Sequence, residues 1–158
     1  MKLYLKQKIC SWNDKFTVYD ADGNDKYYVE GEFFSFGKKL HVYDLDGKEL
    51  AFIHQELFRF LPTYRICIDG YDVAEVQKHF TFFKHEYSVE GLGWSVHGDF
   101  WDHEYEITAG DIPIASVYRE WFTWGDAYAI DINVGVREID VLSVALIIDA
   151  VISESRND

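Results

Sequence analysis

The densest group of side chains capable of chemistry lies beyond the middle of the chain. It contains two histidines and three carboxylates: His97, Asp99, Asp102, His103 and Glu104. Such groups bind zinc, and a pair of carboxylates can act as acid and base in hydrolysis. The spacing matches no helical His-x-x-x-His zinc site, and a solvated loop between two strands explains the cluster better than a metal site does. We therefore predict no metal, no cofactor and no catalytic residue, and a cryptic hydrolase using the acidic loop 99–106 is the weakest hypothesis.

Aromatic side chains form a second candidate group, in the same segment and in the one that precedes the last predicted strand. They are Trp94, Phe100, Trp101, Trp121 and Trp124. Exposed aromatic side chains that lie together form surfaces for partners or ligands, whereas buried ones pack the core. We predict a candidate binding surface made of these five residues.

The third candidate is a single acid, Asp149, within the segment from Val141 to Ile152, which reads VLSVALIIDAVI. Its apolar residues cover every face of a helix, so the helix must be surrounded by protein or lipid. A bilayer requires roughly 20 residues, so this segment predicts a helix buried in protein, with Asp140 as its N-cap. A buried carboxylate is stable only when bonded. We predict a structural bond from Asp149 to a Tyr, Trp or Arg side chain or a backbone N–H, with catalysis as the other interpretation.

Short strands must position these residues. Segment 16–23, FTVYDADG, aligns with segment 40–47, LHVYDLDG, and a degenerate third copy covers 64–70. The first two copies end in Asp-x-Asp-Gly, which lacks the Gly and Glu positions of an EF-hand calcium loop. Asp-Gly favours a tight hairpin turn in which both central residues take a positive φ. The repeat therefore predicts successive hairpins in an up-and-down meander.

Alternation of apolar and polar residues predicts further strands around Tyr87, Trp94, Tyr105 and Ile112, and the cleanest run extends from Tyr128 to Val134. The spacing of Val73, Val76 and Phe80 predicts a short helix or turn over 73–79.

Ten or more strands and one wholly apolar helix need a common core. A long antiparallel sheet tends to close, and a barrel of well over about eight strands is too wide for its own side chains to fill. A helix is about 10–12 Å across and fits that space. The sequence therefore predicts a mainly β protein, a closed antiparallel β-barrel around a buried apolar C-terminal helix.

Charge excludes several classes of partner. The 28 acidic residues outnumber the 15 basic ones, so the formal net charge is −13. A surface this acidic repels phosphate backbones and anionic headgroups, which disfavours nucleic-acid and phosphoinositide binding. The N-terminus has no apolar run typical of a secretory signal, and no transmembrane segment is predicted. We expect a soluble, acidic, cytoplasmic protein that forms one domain, 1–158.

Four segments in order resemble the LURP-one-related family, within the Tubby C-terminal-like superfamily that also includes phospholipid scramblases. They are GWSVHGDF at 93–100, YEI at 105–107, AYAI at 127–130 and the apolar helix with ID at 148–149. The resemblance covers nearly the whole chain and implies a barrel of about twelve strands around a central helix. It implies no established activity. Tubby domains bind phosphoinositides through a basic pocket, and no matching Lys/Arg cluster is present here.

These observations favour a protein that is not an enzyme and has no defined biochemical activity. Our leading hypothesis is a soluble binding or protein-interaction module whose partner is an unknown protein or a small hydrophobic ligand. The alternative, a hydrophobic-ligand or phospholipid-related binding protein, rests on family analogy and requires a cavity beside the helix.

The central helix yields the first testable prediction. Leu146→Asp should abolish folding, because it places an unpaired charge inside the barrel. The measurement is thermal unfolding followed by circular dichroism. A cooperative transition close to that of the wild type would contradict the central-helix arrangement.

Overall fold

The computed structural model describes residues 1–6, 15–32, 37–80, 85–122 and 125–157. These ranges contain twelve strands and one helix. The strands are β1 (Lys2–Lys6), β2 (Lys15–Tyr19), β3 (Asp25–Gly31), β4 (Lys39–Tyr43), β5 (Glu49–Gln55), β6 (Thr63–Ile68), β7 (Tyr71–Phe80), β8 (His85–Glu90), β9 (Trp94–Asp99), β10 (Glu104–Ala109), β11 (Ile112–Phe122) and β12 (Gly125–Ile132). The helix is α1 (Glu138–Asn157).

The twelve strands form a closed barrel in which every strand is antiparallel to its neighbours in sequence. The first strand closes the barrel, because β1 pairs with β12 from Lys2 opposite Asp131 to Lys6 opposite Ala127. On its other side, β1 pairs with β2 through Tyr4 and Tyr19. This architecture confirms the predicted closed antiparallel barrel of about twelve strands.

Helix α1 fills the interior of the barrel. Every residue from Asp140 to Ile152 is buried, so all faces of this part of the helix meet the wall. The predicted buried C-terminal helix is therefore confirmed, although α1 is longer than the apolar segment at both ends. Among the described residues, no helix combines the length and the apolar character needed to cross a membrane.

The start of α1 differs from the prediction. Asp140 lies within the first helical turn and is not the N-cap, because the helix begins at Glu138. The Nε–H of Arg137 donates to Oδ2 of Asp140 at 2.9 Å, and the Nη2 of Arg137 lies 2.8 Å from Oδ1 in an ion pair. Two acids in the first turn also interact favourably with the positive end of the helix dipole.

The two ends of the barrel are distinguished by contacts of α1. Lys26, at the start of β3, forms an ion pair of 2.9 Å with Glu138 in the first turn of the helix. Lys38, just before β4, forms an ion pair with Glu154 in the last turns. We call the end around Glu138 the turn end, because it carries the short β2–β3, β4–β5 and β6–β7 connections. We call the end around Glu154 the cavity end, because a cavity opens there beside the last turns of α1.

The sequence repeat corresponds to a repeated turn at the turn end. Asp20 Oδ1 accepts hydrogen bonds from the backbone N–H groups of Asp22 and Asn24, each at 2.9 Å. The turn that begins at Asp44 has the same two bonds at the same distances. The first copy has a positive φ only at Gly23, so the prediction that both Asp and Gly take a positive φ is wrong for these longer turns.

The degenerate third copy has the backbone that was predicted for the other two. Asp69 and Gly70 join β6 directly to β7 with φ values of 51° and 84°. Positive φ at both central residues is typical of the two-residue type I′ hairpin turn.

The predicted helix or turn over 73–79 is wrong, because these residues belong to β7. Ala74 and Val76 are buried, whereas Glu75 and Gln77 between them are only partly buried. This alternation has the period of a strand, and the three-residue spacing of apolar residues in the segment was a coincidence.

Gly98 yields a prediction about the wall near the cavity end. A Cβ added at Gly98 would lie 2.5 Å from the carbonyl oxygen of Glu104 and 2.6 Å from the Cα of Tyr105. We expect Gly98→Ala to lower the free energy of unfolding by about 3 kcal/mol or more, because backbone atoms cannot move aside cheaply. Urea denaturation measures this loss.

Gly23→Ala is the matched control. Gly23 also has a positive φ, but a Cβ there would meet nothing within 4 Å. Its loss should be limited to backbone strain, about 1 kcal/mol. Equal losses for the two variants would contradict the close approach of β9 and β10.

Candidate functional site

A buried histidine–aspartate pair joins the β9–β10 turn to the helix. The distance between His103 Nδ1 and Asp149 Oδ1 is 2.6 Å, and the two residues are 3% and 5% exposed. The turn brings the imidazole inward, because the backbone N–H of His103 donates to the carbonyl of Phe100 and its φ is 55°. The imidazole stacks on the ring of Tyr128, with centroids 4.1 Å apart.

This pair changes the interpretation of both residues. The expectation that His103 lies in a solvated loop is wrong, because the turn folds the imidazole into the end of the barrel. Asp149 is a buried, hydrogen-bonded acid, and its partner is a histidine rather than the Tyr, Trp, Arg or backbone group expected. The pair fastens the wall to the helix at the cavity end.

The other members of the sequence cluster remain on the surface. His103 is buried, whereas the other four residues are exposed: His97, Asp99, Asp102 and Glu104. In the part of the chain that the structure describes, no three His, Cys, Asp or Glu side chains are grouped so that they could hold a metal ion.

The predicted aromatic surface is divided by the structure. Trp94 and Phe100 are each only 8% exposed and belong to the core, so neither contributes to an exposed aromatic patch. Trp94 is at an inward position of β9, and Phe100 follows that strand in the turn that covers the barrel end. Trp101 and Trp121 are 56% and 77% exposed. Trp124 lies outside the described residues.

A cavity of about 580 Å³ opens beside the last turns of α1 at the cavity end. Its walls come from β7, β8, β9, the turn after β9 and the helix. The lining residues are Lys78, Tyr87, His97, Gly98, Asp99, Phe100, Trp101, Val151, Ile152 and Ser155. Small-molecule sites range from about 300 to 1,000 Å³ and are mostly apolar with a few polar groups, and this cavity fits that description.

Aromatic packing forms one side of the cavity. The ring of Phe100 meets the ring of Tyr87 edge-on, with centroids 5.1 Å apart, and lies 5.4 Å from the ring of Tyr105. Tyr87 is only 2% exposed, and this burial raises the pKa of its hydroxyl group. Val151 and Ile152 of the helix line the cavity from the inside of the barrel.

Lys78 is a charged lining residue that the sequence analysis missed. Ala74 and Val76 face the interior, so the period of the strand places position 78 on the inward face as well. Lys78 is opposite Tyr87 in the β7–β8 register. The apolar residues at positions 74 and 76 already fit the period of a strand, which would place Lys78 on the same face. The interpretation of 73–79 as a helix or turn concealed this inward lysine.

The order and pairing of these elements can now be compared with known proteins. Residues 1–149 match the family described as LURP-one-related. The chain belongs to the LURP-one-related family. This membership confirms the resemblance found in the sequence.

Two known proteins are similar to this chain, one in sequence and one in structure. The uncharacterized protein YxjI of Bacillus subtilis (strain 168) is 38% identical over 161 residues, which cover 100% of this chain and 98% of YxjI. An X-ray structure of the Arabidopsis thaliana protein AT5G01750 superposes with a TM-score of 0.68 over 95% of this chain and 90% of that one. Its sequence identity is 15%, so this second likeness shows the fold alone.

The buried pair yields a prediction about stability. Asp149→Ala should lower the free energy of unfolding by about 1–3 kcal/mol, because it leaves the buried imidazole of His103 without its hydrogen-bond partner. Asp149→Asn should cost less, since an amide oxygen can still accept the hydrogen bond. Urea denaturation measures both.

A double-mutant cycle with His103→Ala tests the coupling directly. We expect the double variant to be more stable than the sum of the two single losses predicts, because the residues share one bond. Additive losses, or a loss below about 1 kcal/mol for Asp149→Ala, would contradict the assigned link.

Proposed function

We propose that this LURP-one-related protein is a non-enzymatic binding protein that holds a small, largely hydrophobic ligand at the cavity end. The observation that carries the proposal is the cavity of about 580 Å³ between the last turns of α1 and strands β7 to β9. The space has the size typical of small-molecule sites and opens to solvent, so a ligand can enter it.

The chemistry of the walls supports a hydrophobic ligand. Tyr87, Phe100, Val151 and Ile152 are all at most 8% exposed, and each contributes apolar surface to the cavity. Trp101, which is 56% exposed, is at the rim. An indole at a rim can cover an apolar ligand while its N–H remains in water.

The exposed carboxylates support a non-enzymatic role. Asp99, Asp102, Glu104 and Glu106 are all exposed. Acid and base catalysis generally uses carboxyl groups in unequal environments, and these four share the same exposed environment.

A protein-interaction surface is the second candidate, and a separate observation favours it. Phe58 and Phe60, in the β5–β6 connection, are 98% and 100% exposed, and Trp121 is 77% exposed. Exposed aromatic side chains of this size are typical of partner surfaces when they are contiguous. This candidate does not require the cavity to be occupied.

Native mass spectrometry of the protein purified from its own host under mild conditions tests the first candidate. We expect a stoichiometric extra mass that is lost on denaturation. Ser155→Trp should remove the extra mass, because Ser155 is an exposed lining residue and a larger side chain there would obstruct the cavity.

Ser155→Ala is the matched control and should retain the extra mass. A clean apo mass for the wild type, together with no binding of any apolar probe in titrations, would overturn the ligand proposal. That outcome would favour the interaction surface, and capture experiments with Phe58→Ser and Phe60→Ser variants would follow.

A further inference from the structure

Lys78 places a cation on the inward face of the barrel, at the cavity. Lys78 continues the inward row of Ala74 and Val76 and is partly buried. Its Nζ lies over the ring of Phe80, 5.0 Å from the centroid. A lysine can stand at such a position by covering apolar surface with its methylene chain, but its ammonium group then requires water or an anion.

No carboxylate of the described residues forms an ion pair with Lys78. Asp99 lines the same cavity but makes no bond to the ammonium group. Burial lowers the pKa of Lys78, and no neighbouring charge opposes this shift. The chain has 28 acidic against 15 basic residues, so the lack of an ion pair at Lys78 does not result from a shortage of carboxylates.

The surroundings of the ammonium group define two zones within the cavity. One zone is polar and contains Lys78 together with His97 and Asp99, and the other is the apolar surface of Tyr87, Val151 and Ile152. A neutral hydrocarbon would leave the cation without a counterion in a partly dehydrated site, which is unfavourable. A ligand with an anionic head and an apolar body would satisfy both zones.

We propose that Lys78 selects the ligand class, and that the cavity binds an amphipathic anion whose carboxylate or phosphate pairs with the Lys78 ammonium group. The hydrocarbon part lies between Tyr87 and the helix residues Val151 and Ile152. This inference rests on the proposed function. The charge-assisted hydrogen bond is local, so it is compatible with an overall surface that repels anionic membranes.

Isothermal titration calorimetry with three probes of equal chain length tests the inference: decanoate, decyl phosphate and 1-decanol, each below its aggregation concentration. We expect the wild type to bind at least one anion about tenfold more tightly than 1-decanol. The stronger of the two anions identifies the head group. Lys78→Met should remove this preference while leaving 1-decanol binding unchanged or tighter.

Two control variants separate the local cation from net charge. Lys78→Arg should retain most of the preference, because it keeps a cation at the site. Lys48→Met removes one positive charge at the turn end, where the Nζ of Lys48 is 4.0 Å from Asp69, and should leave all three affinities unchanged.

The stability of the empty protein provides an independent readout. Burial holds the folded-state pKa of Lys78 below its ordinary value of 10.5, so the protonated lysine disfavours the folded state. Lys78→Met should therefore raise the Tm of the apo protein at neutral pH. The wild type should approach the variant as the pH rises through the lowered pKa, because the unfolded chain then binds more protons than the folded one.

The outcomes distinguish the two proposals. Equal wild-type affinities for the anions and 1-decanol would overturn the role of Lys78 and leave the hydrophobic-ligand proposal standing. No binding of any probe would overturn both. A Lys78→Met variant that loses stability and binds all three probes more weakly would show that the lysine only supports the wall, which also overturns the inference.

Discussion

The structure depends on one geometric constraint: twelve strands enclose more space than their own side chains can fill. A helix of about 10–12 Å diameter occupies that space, and every residue from Asp140 to Ile152 is consequently buried. The cavity lies beside the last turns of the helix, where the apolar run ends at Ile152, and Val151, Ile152 and Ser155 line the space. Candidate site and core are therefore two results of the same constraint.

The architecture was readable from the sequence because it is encoded locally. A strand that faces the core on one side alternates in polarity, as in β4, where Leu40 and Val42 are buried and His41 is only partly so. A helix that faces the core on all sides loses its polar stripe, as α1 does over Val141–Ile152. The repeated Asp-containing turns also predicted successive hairpins. These signals need no knowledge of distant contacts.

The candidate site was less readable because its polar members are defined by distant contacts. His103 is surface-like in its own segment, and only its bond to Asp149, 46 residues away, explains its burial. Lys78 belongs to a segment whose apolar spacing fits a helix and a strand equally well. Once β6 and β8 pair with β7, the ambiguity disappears and the lysine faces inward. Tertiary pairing, which no short window contains, decides both cases.

The closure of the barrel has a consequence for how the chain reaches its fold. Strand β1 can complete its pairing only after β12 has been synthesised, because Lys2–Lys6 pairs with residues 127–131. The filling helix follows even later in synthesis. Long-range pairing of this kind is slow, since closing a large loop costs chain entropy before any contact compensates for it. Until α1 has been synthesised, the growing sheet exposes both its unpaired first edge and its apolar inner face, and exposed surfaces of this kind favour aggregation.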